Sequence, residues 1–243
     1  MSTEIAHLRR RLIEFLINST TQLELPPIVK YSALSLFFDR FRPSVVRFLQ
    51  KKKAEHRLLK PLRESNLQLF VLISIWISCK MHCSRGLSVQ SMKLLGDKLI
   101  TEQLFTSREF LEAELIFLKV KHCTLVVCCL RSRSSFKLFT TEHEKQVLKF
   151  EIGTLNIAYT LLEDLFIQFK EVAKAGELLN FEACMDLMDL LYEKEETSLL
   201  DHSSTSLAAS ILVSSYLITV PKQQCEFPIL PWGKHSFSCS FHQ

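Results

Sequence analysis

The sequence predicts an all-α protein, and three observations carry that prediction. Glycine is scarce, at five residues in 243. No proline occurs from Leu62 to Val220. Turn-rich β folds need frequent Gly, Pro and Asn-Gly punctuation, so this deficit argues for helices. The third observation is the stretch Leu67–Lys80, apolar at 67, 69 to 73 and 75 to 77. A helix that is apolar on every side must be covered on most sides. Fourteen residues span roughly 20 Å at 1.5 Å per residue, short of a bilayer core of ~30 Å. Arg63, Glu64 and Lys80 flank it closely. Its β-branched Val71, Ile73, Ile75 and Ile77 leave a buried strand open, and length favours helix.

The other elements follow from periodicity and capping. Residues 4–18 carry Ile5, Leu8, Leu12, Phe15 and Leu16 at helical spacing, with Arg9, Arg10 and Arg11 on the other face. Ser19-Thr-Thr is expected to interrupt this helix. Pro26-Pro27 opens the next, since proline is tolerated in a first turn, and Pro43 is expected to end it. The connection from Arg40 to Arg63 holds nine Lys and Arg against Glu55. It reads either as a solvated loop or as a nuclear-import or acidic-partner patch.

After the central helix, Leu87 to Ile100 reads as an amphipathic segment broken near Gly96. Thr106 or Ser107 caps a helix from about Arg108 to His122, with Phe110, Leu111, Leu115, Leu118 and Ile116 as its buried face. Arg131–Ser135 is the linker candidate. A long helical pattern runs from Thr140 or Thr141 to about Lys174, with a kink expected at Gly153. Ala175-Gly176 ends it. A second helix, Phe181 to Glu196, has Met185, Leu187, Met188, Leu190 and Leu191 on its apolar side. Ser203–Ser206 caps a third, Leu207 to Ile218. Pro221, Pro228 and Pro231 stop helix formation, and the tail 236–243 is expected to be irregular.

Composition narrows the function. A net charge of +4 does not by itself call for nucleic acid. Eight cysteines spread through apolar segments read as reduced, buried thiols. No apolar signal segment is visible at the N-terminus and no apolar run spans a bilayer, so a soluble intracellular protein is expected, with no membrane partner. Cys79, His82 and Cys83 cluster without the second ligand pair that zinc needs, so no metal is expected. The histidines have no matching Ser, Cys or carboxylate arrangement, and five glycines could hardly build a phosphate loop. These absences argue against an enzyme and against a bound cofactor.

Four segments in order carry a family resemblance. Leu8-Arg-Arg-Arg-Leu-Ile-Glu-Phe-Leu16, Phe38-Asp-Arg-Phe41, Leu67-Gln-Leu through Ser78-Cys-Lys80, and Glu112-Ala-Glu-Leu-Ile-Phe-Leu-Lys-Val120 resemble the motifs of the cyclin box. The five signature positions of that family fall on Arg9, Asp39, Leu69, Lys80 and Glu114, and all five residue types are kept. The overall wording is most similar to the small plant J-type cyclins. The resemblance is good over about 5–130 and fainter after 140, where Leu207-Ala-Ala-Ser-Ile-Leu212 resembles the third helix of a second cyclin fold.

The resemblance implies a five-helix cyclin box over residues 1–130 with its preceding helix. A linker over 131–139 and an incomplete helical cyclin-like domain over 140–235 follow. Its implied function is a regulatory subunit that binds and activates a cyclin-dependent protein kinase in cell-cycle or developmental control, in the nucleus and also the cytoplasm. Lys80 and Glu114 would clamp the kinase, flanked by Met81 and Leu118. Arg9 and Asp39 would pair within the box. Leu8, Leu12, Phe15 and Gln68 would form a docking patch for kinase substrates or inhibitors, altered by Arg11 where an apolar residue is usual. The acidic pair that usually follows the lysine is replaced by Met81-His82, and the Asp39-to-Leu67 connection is lengthened by basic residues. The alternatives are a cyclin-fold transcription adaptor, which would use the basic 40–63 segment on nucleic acid, and a helical scaffold.

Overall fold

The computed structural model describes residues 2–43, 45, 57–59, 62–120, 157–172, 174–193 and 204–220. These are helices and short connections, with no strand among them. The chain divides into two compact units, Met1–Leu155 and Asn156–Gln243. The expected linker at 131–139, the start of the long helix at 140, the Gly153 kink and the 236–243 tail lie outside the described residues.

The first unit contains α1 (Ser2–Gln22), α2 (Pro27–Leu34), α3 (Glu64–His82), α4 (Val89–Leu99) and α5 (Ser107–Val120). Helix α3 is the hub. Its residues from Ser65 to Cys79 are buried except Gln68, and α1, α2, α4 and α5 all pack on it. Each fully covered Leu, Ile, Val or Phe of such a helix contributes about 1.5–3 kcal/mol relative to exposure. No single-stripe helix could offer cover on so many sides, so the other four are arranged around this one.

The Ser-Thr-Thr run does not interrupt α1. Ser19 Oγ donates to the Phe15 carbonyl at 2.7 Å, Thr20 Oγ1 to Ile17 at 2.8 Å and Thr21 Oγ1 to Ile17 at 2.9 Å. By bonding back within the helix, these hydroxyls satisfy themselves without breaking it. The chain turns instead at Glu24, whose φ of 49° puts a non-glycine residue in the left-handed region.

Pro43 does not end the second helix either. Helix α2 passes into a π-helical segment, Ser35–Phe41, and Arg42, Pro43 and Val45 are still helical. The Arg42 N–H donates to Phe37, five residues back. This widened turn accommodates a proline that has no N–H and would crowd the carbonyl four residues before it. It also brings Phe41 against Phe70 of α3, at 4.7 Å between centroids, and stacks it on Phe117 of α5 at 4.3 Å.

Helix α4 runs unbroken through Gly96, which is buried. A Cβ there would meet Phe110 Cζ at 2.8 Å, so the glycine lets α4 and α5 approach rather than breaking the helix. Thr106 and Glu109 form the capping box at the head of α5: the Thr106 N–H donates to Glu109 Oε2 at 2.8 Å and the Glu109 N–H to Thr106 Oγ1 at 3.3 Å. Arg57 Nη2 reaches the other Glu109 oxygen at 2.8 Å, tying the end of the basic connection to this cap, with Leu58 and Leu59 buried beside it in sequence.

The face of α5 differs from the expected one. Phe110, Ala113, Ile116, Phe117 and Leu118 are buried, while Leu111 and Leu115 are exposed at 47% and 39%. The Gly96–Phe110 approach and the Phe41–Phe117 stack set this rotation.

The second unit contains α6 (Ala158–Val172), a 3-10 segment Lys174–Leu178, α7 (Phe181–Glu193) and α8 (Ser204–Thr219). Helix α8 packs on both α6 and α7, with Phe169 edge-on to Tyr216 at 5.9 Å. Its small Ala208 and Ala209 are buried with Ile211 and Leu212. On α7 the buried side chains are Cys184 and Met188, Phe181 packs on Phe166 of α6 at 4.7 Å, and the expected Leu190 is exposed.

Two predictions follow from the first unit. Gly96→Val should overpack the α4–α5 contact and cost about 1–3 kcal/mol. The measurement is a denaturant midpoint, and an unchanged midpoint would sink this account. The second concerns His82, an exposed residue whose Nε2 nonetheless lies 2.8 Å from the buried Ser32 Oγ of α2, where local desolvation lowers its pKa. A depressed histidine disfavours its own protonation in the fold. Its contribution is complete above the unfolded value near 6.5 and is lost as pH falls below it. The stability of the wild type should therefore fall more steeply from pH 7 to 5 than that of His82→Gln. Parallel curves would remove His82 from the explanation.

Candidate kinase-docking site

The last turn of α3 is where the hub reaches the surface. Burial ends at Cys79, and Lys80 and Met81 are half-buried. The cation sits at the negative end of the helix, which favours it. Lys80 Nζ lies 2.5 Å from Glu114 Oε1 on α5 and 3.7 Å from the Trp76 ring one turn earlier. Trp76 is itself held by a bond from Nε1 to the Leu87 carbonyl at 2.8 Å. The two charged side chains are only 21% and 10% exposed. A pair this desolvated is costly to break by removing one member, at roughly 3–5 kcal/mol if fully buried.

The pair has polar capacity left over. An ammonium has three donors and a carboxylate two oxygens. One contact between them leaves groups able to meet a carbonyl and an N–H of a partner backbone. The apolar surface on α5, which carries Glu114, is Leu111 and Leu115, one turn apart. Leu118, expected as a flanking contact, is 8% exposed and belongs to the core, since it shares the inward face with Glu114 and Phe117. Met81 is half-buried and available at the edge.

The remaining signature residues lie within the same unit. Leu69 is fully buried in α3. Arg9 is buried in α1 with its guanidinium 5.0 Å above the Phe38 ring, and Asp39 is half-buried next in sequence to that ring. In the expected docking patch, Leu8, Phe15 and Gln68 are half-buried, but Leu12 is 2% exposed and points into the core with Ile13 and Leu16. Arg11 bonds Glu64 of α3 at 2.7 Å, placing an ion pair between the first and third helices.

No cluster of three His, Cys, Asp or Glu side chains is placed to hold a metal among the described residues. Burial pushes the Cys79 thiol up to about 12, which suits a core thiol and not a ligand. No described helix is long and apolar enough to cross a membrane. Trp76 and the Arg57–Glu109 anchor were not anticipated from sequence. The four-residue spacing of Trp76 and Lys80 was a legible signal, whereas nothing local connects Arg57 to Glu109.

The chain is similar in sequence to known proteins over most of its length. The family model described as the cyclin N-terminal domain matches residues 2–125. "Cyclin-J18" of Arabidopsis thaliana is 75% identical over 234 residues, covering 96% of this chain and 88% of the relative. "Cyclin-J18-like" of Oryza sativa subsp. japonica is 46% identical over 230 residues, covering 92% and 78%. No solved structure matches the chain. With α1, α2, α4 and α5 packed on α3 and a family match over half its length, the chain belongs to the cyclin family, in its plant J-type group.

Proposed function

We infer that this protein is a regulatory subunit that binds and activates a cyclin-dependent protein kinase in cell-cycle or developmental control. The observation that carries the reading is the desolvated Lys80–Glu114 pair at the surface end of α3. The mechanism is a population shift. The kinase's regulatory helix has an inward state that completes its ATP site and an outward state that does not. A subunit that binds the inward state better displaces the equilibrium by its differential affinity and does no chemistry itself. Lys80 and Glu114 supply fixed polar contacts for that helix and the loop before it, while Met81, Leu111 and Leu115 supply apolar area.

The test uses a double variant, because either single change leaves a desolvated charge and confounds folding with binding. Lys80→Ala/Glu114→Ala should keep its helical circular dichroism and lose kinase co-precipitation and activation. Normal capture by the folded double variant would remove the clamp from the mechanism. The same reading places the protein in the nucleus, with the basic 40–63 connection as its import signal. A fluorescent fusion should be nuclear in the wild type and cytoplasmic when Lys51, Lys52 and Lys53 are changed to Ala, and an unchanged distribution rejects that assignment.

A further inference from the structure

Beside the docking end of α3 lies a feature that kinase binding does not use. Cys79 and Cys83 are both free and stand four residues, one helical turn, apart at the end of α3. Cys79 is buried, whereas Cys83 is half-buried and caps the helix with an extended backbone, its N–H donating to the Cys79 carbonyl at 2.9 Å. Between them stand Lys80, Met81 and His82. We propose that Cys79 and Cys83 are a redox-sensitive pair whose oxidation to an intramolecular disulfide remodels the last turn of α3 and withdraws Lys80 from its docking geometry.

Burial sets the order of events. Cys83 is the accessible partner and reacts first with a disulfide oxidant such as oxidised glutathione. Its thiolate attacks one glutathione sulfur, the Cys83–glutathione bond forms, and one glutathione thiolate leaves and takes up a proton. Cys79 then gives its proton to water and attacks the Cys83 sulfur. The Cys79–Cys83 bond forms, and the second glutathione leaves and is protonated. Two protein thiols are oxidised and one glutathione disulfide is reduced to two thiols. The second step is slow because burial holds the Cys79 thiol protonated, so the mixed disulfide accumulates first.

Geometry supplies the consequence. Side chains four apart on a helix hold their Cβ atoms about 5–6 Å apart. A disulfide requires about 3.8 Å. Closing that gap draws the cap inward and distorts the turn that carries Lys80, because a helix turn is a fixed hydrogen-bonded unit. Cys83 is not held by regular helical backbone, so the movement falls on the cap and the three residues before it. Lys80 is next to Cys79 in the distorted turn, so the displacement carries its ammonium off both the Glu114 carboxylate and the Trp76 ring that hold it.

The link to docking rests on the kinase-binding reading, so the experiment has two separate readouts. The purified full chain is equilibrated with oxidised glutathione, and its monomer fraction is alkylated and digested with trypsin without reduction. Cleavage after Arg63, Lys80 and Arg85 puts Cys79 in peptide 64–80 and Cys83 in peptide 81–85. The expected result is these two peptides joined, and their absence in Cys83→Ser. Recovery of 64–80 with an alkylated cysteine, and of 81–85 carrying only glutathione at full equilibrium, would overturn the pair. In parallel, recombinant plant cyclin-dependent kinases should be captured by the reduced protein and by oxidant-treated Cys83→Ser, and lost from the bridged wild type. A bridged protein that captures kinase as well as the reduced one overturns the coupling to docking. A reduced protein that captures none rejects the kinase reading instead, and the joined peptides then decide the redox pair alone.

Discussion

The constraint on which the first unit depends is that α3 has no polar face. An amphipathic helix can be satisfied by one neighbour. A helix buried from Ser65 to Cys79 with only Gln68 half-covered needs neighbours on every side. Four helices supply them, and each is fitted to that task by a local device. Back-bonding hydroxyls let α1 run to Gln22. A π-helical turn carries Phe41 to the junction of α2, α3 and α5. A glycine lets α4 lie against Phe110. Each device exists to bring apolar cover to the hub, and each would be a defect in a helix that had nothing to cover.

The same constraint explains where polar chemistry gathers. Charged groups are excluded from the length of α3 and collect where its cover ends. At the N-terminal end Glu64 meets Arg11 of α1. At the C-terminal end Lys80 meets Glu114 of α5 and the Trp76 ring. The first pair is widely exposed on its arginine side, and exposed pairs contribute 0–1 kcal/mol or so. The second is far less hydrated and is flanked by exposed leucines on α5. Of the two ends, only the second combines a largely desolvated ion pair with uncovered apolar side chains on the helix of Glu114, Leu111 and Leu115.

Some of this was legible in the sequence. The hub helix was, because continuous apolar character needs no partner to be recognised. So was the cap at Thr106, whose capping box lies within four residues. The five signature positions were legible through motif order, not through physics. The orientation of α5 was not legible. Apolar residues occur at 110, 111, 115, 116, 117 and 118, so several faces are equally good by periodicity. The choice between them is made by Gly96 and Phe41, which are distant in sequence. The π-helical turn before Pro43 was illegible for a related reason. Proline signals a break by its local sterics, and only the packing of Phe41 rewards a turn that absorbs it.

The orientation of α5 bears directly on how a docking face of this kind can work. A face centred on Leu111 and Leu115 would leave Glu114 nearer the rim, where its pair with Lys80 would be more hydrated and weaker. Turning them outward rotates Glu114 into burial beside Lys80 and leaves the two leucines exposed. Ion pairs at interfaces set register and exclude wrong partners more than they add affinity. A pair already closed in the free protein does not have to be assembled on binding, so its ordering cost is met beforehand. Affinity would then come chiefly from covering Leu111, Leu115 and Met81, and specificity from a partner backbone that can use the remaining donors and acceptor of Lys80 and Glu114. On the proposed function, one rotation of one helix, set by a glycine and a phenylalanine outside the face, would provide both.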